Sequence, residues 1–513
     1  MTPLIPWLPY RAARGRGAAW SIAASCVLAI SLVVLATPAV AQSSTDDTQA
    51  GVTPKAPGIQ AGPLTVTLGG FVELASIWRN RNETADVGSS FSAIPFANSP
   101  QAHVSEFRLS GRQSRLSLLT EAQPFAGAHV EAYFETDFLG AAPTANSVES
   151  NSYNLRMRNI YARYITDNGF YLLFGQNWSL ATLYTKGLNP RQENVPLTID
   201  AQYVVGFNWE RQPQVRIVQQ LGDVLTVGLS LESPQAVINT SNNVPATATI
   251  GGSSVTVSPY PANTIFNNTG GSLLNPTTTY SLDIAPDIIL KLAADTIIGH
   301  YELYGLGRFF RSNVGGSDQT AVGGGVGGGA LIPIVPDVFK VQASALWGNG
   351  IGRYDSAQMP DVTVKPSGQL APIKAYSLLL GAQFTPNNAL TLYGYVGRQK
   401  TTSAVYSSPL TVHGVALDGG RAFAFGYGSP EYDNSGCYTL GAAASTCIAN
   451  TSDVNEISGG FWWRYYSGPL GNLQFGLQAA FLERESFGGV GGAPSASMFV
   501  GMGSFRYYPY QRP

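Results

Sequence analysis

The chain has 513 residues, of which 12% are charged, and a formal net charge of −2. Average soluble domains contain about 25% charged residues, so the composition argues against an ordinary soluble protein, and the near-neutral charge gives no indication of nucleic-acid binding. Glycine, tyrosine and phenylalanine are plentiful, with 57, 25 and 23 residues, which is typical of β-barrels whose strands turn one face toward lipid.

The N-terminal residues 1–41 have the features of a secretory signal peptide. Three arginines form a positive first part, residues 21–36 are apolar, and the small residues Ala39 to Ala41 form the expected cleavage site. A transmembrane anchor is the alternative, but this apolar segment is short for a helix that spans a bilayer. Residues 42–63 are polar with proline and glycine, and they predict a disordered periplasmic lead-in.

From residue 64 onward, apolar and polar residues alternate with the period of two that indicates β-strands. Short connections alternate with long ones, as in outer-membrane barrels with short periplasmic turns and long extracellular loops. The sequence therefore predicts an all-β fold, a transmembrane antiparallel β-barrel over residues 64–513, whose even strand number closes the sheet without a free edge. The sixteen predicted strands are 64–79, 104–119, 126–138, 154–166, 169–177, 203–219, 223–232, 285–294, 297–311, 319–332, 337–347, 373–385, 389–399, 454–466, 470–484 and 496–508.

Two segments leave alternatives open. Segment 203–219 contains Pro213 and reads as one strand or two, and a single strand keeps the alternation of short and long connections in phase. Residues 323–329 include six glycines. Glycine permits close backbone approach or a strong bend, so this strand either faces a neighbouring subunit or lets the wall curve.

Charged residues form rows on one face of the second, third and fourth predicted strands. In the third, Glu131, Glu135 and Asp137 alternate with apolar residues, which indicates one face toward a hydrated lumen and the other toward lipid. The alternation slips in phase near Ser114 and Arg115 and again in the fourth strand, which predicts β-bulges. The pore-lining candidates are Arg108, Arg112, Arg156, Arg158, Arg163, Glu131, Glu135 and Asp137.

These charges allow two interpretations. In the first, arginines and acids on adjacent strands form an ion-pair network that solvates and braces the wall. In the second, the arginines form a ladder that attracts anionic solutes, because side chains that extend past the acids still guide anions.

The third long connection, residues 178–202, is the candidate constriction loop. Many sixteen-stranded porins fold the loop after their fifth strand into the lumen, and this connection also follows the fifth predicted strand. An ordinary surface loop is the alternative. The constriction-loop candidates are Lys186, Arg191, Glu193 and Asp200.

Two cysteines, Cys437 and Cys447, remain after signal cleavage and lie in one predicted loop. An oxidising compartment favours a disulfide between them. A metal site is the weaker alternative, because the loop has no third cysteine and only one histidine, His413, which lies far from the pair.

The sequence gives no indication of an enzyme. It contains no nucleophile-elbow or paired-histidine metal motif, so we expect no catalytic, metal-binding or cofactor-binding residues. A surface hydrolase would need a serine–histidine pair, and His300 is the best candidate base, but no serine is identifiable beside it.

The stretch from Phe107 to Trp178 contains "FRLSGRQSRLSLLTEA", "GAHVEAYFETDFLG", "LRMRNIYARYI" and "FYLLFGQNWSLAT". These phrases resemble the front half of the DcaP-like outer-membrane porins, and "RQPQVRIVQQLG" and "LTVGLSLESP" continue the similarity. The resemblance implies a trimeric sixteen-stranded porin with a basic lumen that favours small anions such as dicarboxylates. It assigns the ladder positions to Arg108, Arg112, Arg156 and Arg158.

We therefore expect a porin of the bacterial outer membrane, a homotrimer surrounded by lipid, that lets small hydrophilic solutes diffuse passively. The alternative is an adhesin or receptor barrel that acts through its long extracellular loops, 233–284 and 400–453. A barrel with a plugged lumen would give no stable conducting steps, so conductance discriminates between the two.

Overall fold

The computed structural model describes residues 58–140, 154–270 and 278–510. The predicted signal peptide and residues 42–57 of the predicted lead-in lie outside the described residues. Within the predicted lead-in, Ile59–Ala61 instead forms a short antiparallel strand against residues 64–66. The prediction of disorder is wrong for these three residues, because their backbone amides and carbonyls join the edge of the barrel sheet.

Sixteen antiparallel strands form the barrel wall, and the first pairs with the last to close it. The predicted fold class is confirmed. The strands are β1 Leu64–Arg79, β2 Glu106–Ser110 with Arg115–Phe125, β3 Ala128–Gly140, β4 Asn154–Thr166, β5 Phe170–Trp178, β6 Arg211–Leu221, β7 Leu225–Glu232, β8 Asp287–Thr296, β9 Gly299–Val314, β10 Ser317–Val335, β11 Phe339–Asn349, β12 Lys374–Asn387, β13 Leu390–Thr401, β14 Thr451–Gly468, β15 Gly471–Ser486 and β16 Ser495–Tyr508.

Other elements are short and lie outside these sixteen strands. No helix among the described residues is long and apolar enough to cross a membrane. The 3-10 helices are Phe91–Ala93, Pro100–His103, Gly352–Tyr354, Leu417–Gly420, Ser435–Tyr438 and Ala444–Thr446. The remaining short strands are Ile238–Asn239, Thr247–Ile250, Ser253–Thr256, Thr264–Ile265, Asn267–Thr269, Thr279–Ser281, Val362–Val364, Leu370–Pro372, Ala404–Pro409, Thr411–Val412, Val415–Ala416 and Ala422–Tyr427.

Side chains of the wall alternate between a buried inner face and an exposed outer face. On β3, Glu131 and Glu135 are buried, whereas Phe134 between them is 40% exposed. On β12, Leu378 and Leu380 are 46% and 60% exposed. Successive side chains of a strand point to opposite faces, so the polar residues line the interior and the apolar residues face the membrane.

The two predicted phase slips occur where the strands are irregular. Strand β2 is interrupted at residues 111–114, and there the hydroxyl of Ser114 accepts a hydrogen bond from Glu73 N of β1 (2.9 Å). A side chain thus replaces a backbone acceptor where the ladder is broken. The second irregularity shifts the register of β3 against β4 after Glu135. Both keep charged residues on the inner face.

The prediction of a strand from residue 203 is wrong. Strand β6 begins at Arg211, and Pro213 lies within it opposite Gln176 of β5. Residues 203–210 belong to the preceding connection, and their apolar side chains, Val204, Val205 and Phe207, are buried inside the barrel. An apolar run that is buried without being a strand therefore misled the sequence interpretation.

The glycines of β10 make room for bulky groups on the inner side of the wall. A Cβ at Gly323 would lie 2.7 Å from the ring of Phe310, and one at Gly327 would overlap the ring of Tyr304. Both rings come from the adjacent strand β9. The glycine run therefore lets aromatic side chains lie flat against the sheet, which is the close approach that glycine permits.

The longest outer connections contact one another. Asn243 N donates to the backbone carbonyl of Ala424 (3.1 Å), and Asn450 Nδ2 donates to Ser241 Oγ (3.0 Å). Residues of 233–286 are thereby joined to those of 402–450. Within the second connection, Cys437 and Cys447 form the predicted disulfide.

Candidate functional site

The connection between β5 and β6, residues 179–210, lies inside the barrel, and we call it the lumen loop. Leu180 N donates a hydrogen bond to Glu232 Oε1 on β7 (2.8 Å). Tyr184 N donates to Glu302 Oε1 on β9 (2.9 Å). Both glutamates are buried on the inner face of the wall, so they hold the first part of the lumen loop against that face.

The second part of the lumen loop binds other strands of the wall. Leu197 N donates to the hydroxyl of Tyr395 on β13 (3.0 Å). Val205 N donates to Glu456 Oε2 on β14 (2.9 Å). The lumen loop therefore extends along the inner wall from β7 to β14. It is longer than the predicted segment 178–202, because it continues to Glu210.

Apolar packing adds to these hydrogen bonds. Residues of the lumen loop and of the inner wall form one buried cluster, and burial of apolar surface stabilises such contacts by roughly 25 cal/mol per Å². The cluster includes Val195, Leu197, Ile199, Val204, Val205 and Phe207 of the loop, and Ile77, Leu379, Trp462, Met498, Val500 and Met502 of the wall.

Two glycines let the backbone of the lumen loop touch the wall. Gly206 has φ +89°, a conformation that glycine adopts without steric cost. A Cβ at Gly206 would overlap the carbonyl of Leu378, and a Cβ at Gly397 on β13 would overlap the carbonyl of Val205. Both contacts require the absence of a side chain.

A second connection, residues 350–373, also enters the barrel, a path that was not predicted from the sequence. Arg308 of β9 binds Asp361 of this connection (Nη1 to Oδ1, 2.6 Å) and Asp287 of β8 (3.2 Å). Arg353 also binds Asp287 (3.3 Å). The sequence of this connection contains two basic and two acidic residues, Arg353, Lys365, Asp355 and Asp361, and such charges in a loop do not reveal the path of the backbone.

Four of the predicted pore-lining residues form a connected ion-pair network. Arg158 binds Glu135 (2.6 Å) and Asp137 (2.9 Å). Arg156 binds Asp137 through two hydrogen bonds of 3.0 and 2.7 Å. Arg158 and both acids are buried, but the side chain of Arg156 is 34% exposed. The bracing interpretation thus describes Arg158, whereas Arg156 also reaches solvent.

The remaining ladder arginines lie in different surroundings. Arg112 binds Asp86 (2.8 Å). Arg108 donates through Nε to Glu106 (3.2 Å), and its side chain is 42% exposed while that of Glu106 is 4% exposed. Arginine is charged at every physiological pH, so Arg108 presents a positive charge to the interior.

Arg163 and Arg191 meet at one carboxylate. Arg163 Nε lies 2.9 Å from Glu131 Oε1, and Arg191 of the lumen loop lies 2.9 Å from the same atom. Arg191 also donates to the hydroxyl of Tyr161. Glu131 therefore joins the lumen loop to the wall, and the structure brings these predicted residues together.

The other predicted residues of the loop differ in burial. Lys186 is exposed. Asp200 is buried and accepts hydrogen bonds from Ser89 N (3.0 Å) and Gln202 N (2.9 Å). Glu193 is buried beside Tyr184 in a hairpin of the loop, and neither of its carboxylate oxygens has a hydrogen-bond partner in another described residue.

His300 is bonded on both ring nitrogens. Nδ1 lies 2.8 Å from Asp295 Oδ1, and Nε2 lies 2.9 Å from Glu302 Oε1. The ring therefore bridges two carboxylates, and both of these also bind the lumen loop. Among residues 58–140, 154–270 and 278–510, no three His, Cys, Asp or Glu side chains are placed to hold a metal ion.

The barrel is similar to a solved outer-membrane channel. The crystal structure of DcaP from Acinetobacter baumannii matches with a TM-score of 0.58 and 17% sequence identity over 88% of this chain and 100% of that one. An anion-selective porin from Comamonas acidovorans matches with a TM-score of 0.46 and 12% identity over 87% and 99% of the two chains, a similarity too weak to support a functional argument.

No protein-family model matches the sequence, and no curated protein does so either. The assignment therefore rests on the closed sixteen-stranded wall, its apolar outer face and the similarity of its fold to that of DcaP. The chain is a transmembrane β-barrel of the bacterial outer membrane, with the fold of the DcaP channel.

Proposed function

We propose that the barrel is a diffusion porin that passes small hydrophilic solutes and prefers anions, dicarboxylates among them. The observation that supports this most directly is an asymmetry within two ion pairs. The side chains of Arg108 and Arg156 are 42% and 34% exposed, whereas their partners Glu106 and Asp137 are 4% and 1% exposed. A solute in the lumen therefore meets the cations rather than the acids, and such a surface concentrates anions.

Single-channel recordings in a salt gradient test this proposal. We expect the wild-type reversal potential to report anion preference. Arg108→Gln and Arg156→Gln should each lower the anion-to-cation permeability ratio by roughly fivefold, the factor for one nearby charge in water at about 1 kcal/mol. Cation preference of the wild type would refute the proposal.

Arg311→Gln is the matched control. Arg311 is also partly exposed and paired with an acid, Asp318 (3.0 Å). It alternates on β9 with the buried inner residues Phe310 and Ser312, so it lies on the outer face of the barrel. This substitution should leave the permeability ratio unchanged.

The proposal includes a homotrimer, on the ground of the sequence resemblance described above. Native mass spectrometry of protein extracted from outer membranes tests it. A monomer that persists across mild detergents would contradict a trimer without affecting the proposed transport.

An adhesin or receptor barrel is the second candidate, and the packing of the interior favours it. The lumen loop and residues 350–373 both occupy the inside of the wall. A barrel closed in this way would show no stable conducting steps in a planar bilayer, whereas the porin would show them.

A further inference from the structure

The outer face of the wall has a recess on strands β10 to β14. Its floor consists of small residues, Gly328 and Ala330 of β10 and Ala343 and Ala345 of β11. These residues pair directly across the two strands, Gly328 with Ala345 and Ala330 with Ala343. Large apolar residues usually cover the membrane-facing side of a barrel, so four adjacent small residues leave a depression there.

Large apolar side chains border this floor. Leu378, Leu380 and Val396 of the next two strands point outward and are 46%, 60% and 53% exposed. The recess encloses about 830 Å³, within the range of about 300–1,000 Å³ for small-molecule sites. A second recess of about 550 Å³ adjoins it, sharing Ala330 and Leu380. The two form an apolar groove that fits a hydrocarbon chain.

The groove ends at a charged boundary on β13. Outward-facing residues of this strand change from Val396 to Arg398 and Lys400, toward the end that leads into the long outer connection 402–450. Both cations bind one carboxylate, Asp453. Their side chains are 40% and 42% exposed and that of Asp453 is 0% exposed, so the exposed charge at this boundary is positive.

Other charged residues near the boundary define where an anion fits. Lys374 lies over the ring of Trp347 (5.2 Å) on the same outer face. Two acids of β15 lie on the other side: Glu483 lines the far end of the groove, beyond Asn455, which separates it from Arg398 in the register of the sheet, and the exposed Glu485 lies opposite Asp453. A phosphate is therefore expected on the β12–β13 side.

We propose that this groove binds an anionic lipid of the outer leaflet. An acyl chain lies on the small residues, and the phosphate is held by Arg398 and Lys400. Cations near a membrane surface attract anionic lipids, and a wall in the outer membrane meets acyl chains at this depth. The proposal concerns the outer face alone, so it is independent of what passes through the lumen.

Tryptophan quenching by brominated lipids tests the proposal. The full-length mature protein is placed in phosphatidylcholine vesicles that contain a minor fraction of dibrominated phosphatidylglycerol or of dibrominated phosphatidylcholine. Trp347 is 53% exposed two positions from Ala345, and the difference from Trp347→Phe isolates its emission. We expect phosphatidylglycerol to be enriched beside Trp347 by about fivefold, the factor for one cation near anionic lipid.

Variants separate the headgroup from the groove. Arg398→Gln with Lys400→Gln should remove the preference for phosphatidylglycerol. Ala345→Leu should lower quenching by both lipids, because it fills the floor. Its control, Ala132→Leu, places the same side chain at an exposed position of β3 and should change nothing. Heat-modifiable migration on gels verifies that each variant is folded.

Two outcomes would overturn the proposal. Equal quenching of Trp347 by the two brominated lipids would show that the groove contacts bulk lipid without preference for either headgroup. No quenching of Trp347, with normal quenching of the outward-facing Trp78 (41% exposed), would show that a second copy of the chain covers the groove.

Discussion

Glu193 is a carboxyl group buried in the hairpin of the lumen loop, and its replacement should change the pH dependence of that loop. The residue is 1% exposed, and its carboxylate oxygens have no hydrogen-bond partner in another described residue. Burial, only partly opposed by Arg216 and Arg191, raises the pKa of Glu193 to about 7. Loss of hydration disfavours the charged form of a buried acid.

The direction of the pH effect on the loop follows from the raised pKa of Glu193. The packed loop favours the neutral acid, so ionisation costs nothing below the ordinary pKa of about 4.5, costs increasingly more as the pH rises, and reaches its full cost above pH 7. A difference of about 2.5 pKa units corresponds to about 3 kcal/mol. Glu193→Gln removes this cost, so above pH 7 the loop of the variant should open about 100-fold less often.

Thiol labelling measures this opening. Ala181 of the lumen loop is 2% exposed, and Ala181→Cys introduces a thiol that reacts only when the loop opens. Cys437 and Cys447 are bonded to each other, and the labelled protein consists of residues 42–513, which lack Cys26. With and without Glu193→Gln, labelling rates should differ by only about fourfold at pH 5, half a unit above the ordinary pKa, and by about two orders of magnitude at pH 8.

Comparison at the same pH cancels the titration of the thiol itself. Glu121→Gln is the control, because Glu121 is exposed on β2, and it should leave the rate unchanged. A rate ratio near one at pH 8 for Glu193→Gln would refute the reasoning, since it would mean that Glu193 ionises in the packed loop without cost.

Two further predictions concern close backbone contact and the disulfide. Gly397→Ala should displace the lumen loop, because the new methyl overlaps the carbonyl of Val205. The sensitivity of the loop to protease should therefore rise. The control is Gly394→Ala on the same strand, where the nearest atom to the new methyl is 3.8 Å away and no effect is expected. Equal protease sensitivity of the two variants would contradict the contact between Gly397 and Val205. Cys437→Ser should loosen the outer connection 402–450 by about 3 kcal/mol, the loop-closure value for a separation of 10 residues. Proteolysis should then cut that connection while the barrel stays intact, and unchanged cleavage beside Cys447 would count against it.

The wall was predictable because its signal is local. Each strand shows which side chains face lipid through a period of two, and the bulges near Ser114 and in β4 were visible as slips in that period. Strands β1 and β4 begin and end at the predicted residues. The alternation of short and long connections then predicted an even number of strands.

The contents of the lumen were less predictable because they depend on distant contacts. The path of residues 203–210 is set by Glu456, Gly397 and other wall residues that lie more than 150 positions away, and no local period records such contacts. Arg191 and Arg163 were both identified as candidates, but their shared partner, Glu131, follows only from the folded loop. The connection 350–373 gave no periodic signal at all.

The hydrogen bonds that hold the lumen loop in place do not depend on the chemistry of its side chains. Its amides at Leu180, Tyr184 and Val205 donate to carboxylates of the wall, and every residue except proline carries such an amide. Through these hydrogen bonds the wall therefore binds the backbone of the loop and not the side chains of these residues. Exposed side chains such as Lys186 can be exchanged while these bonds persist, which makes the loop a replaceable insert for redesigning the passage.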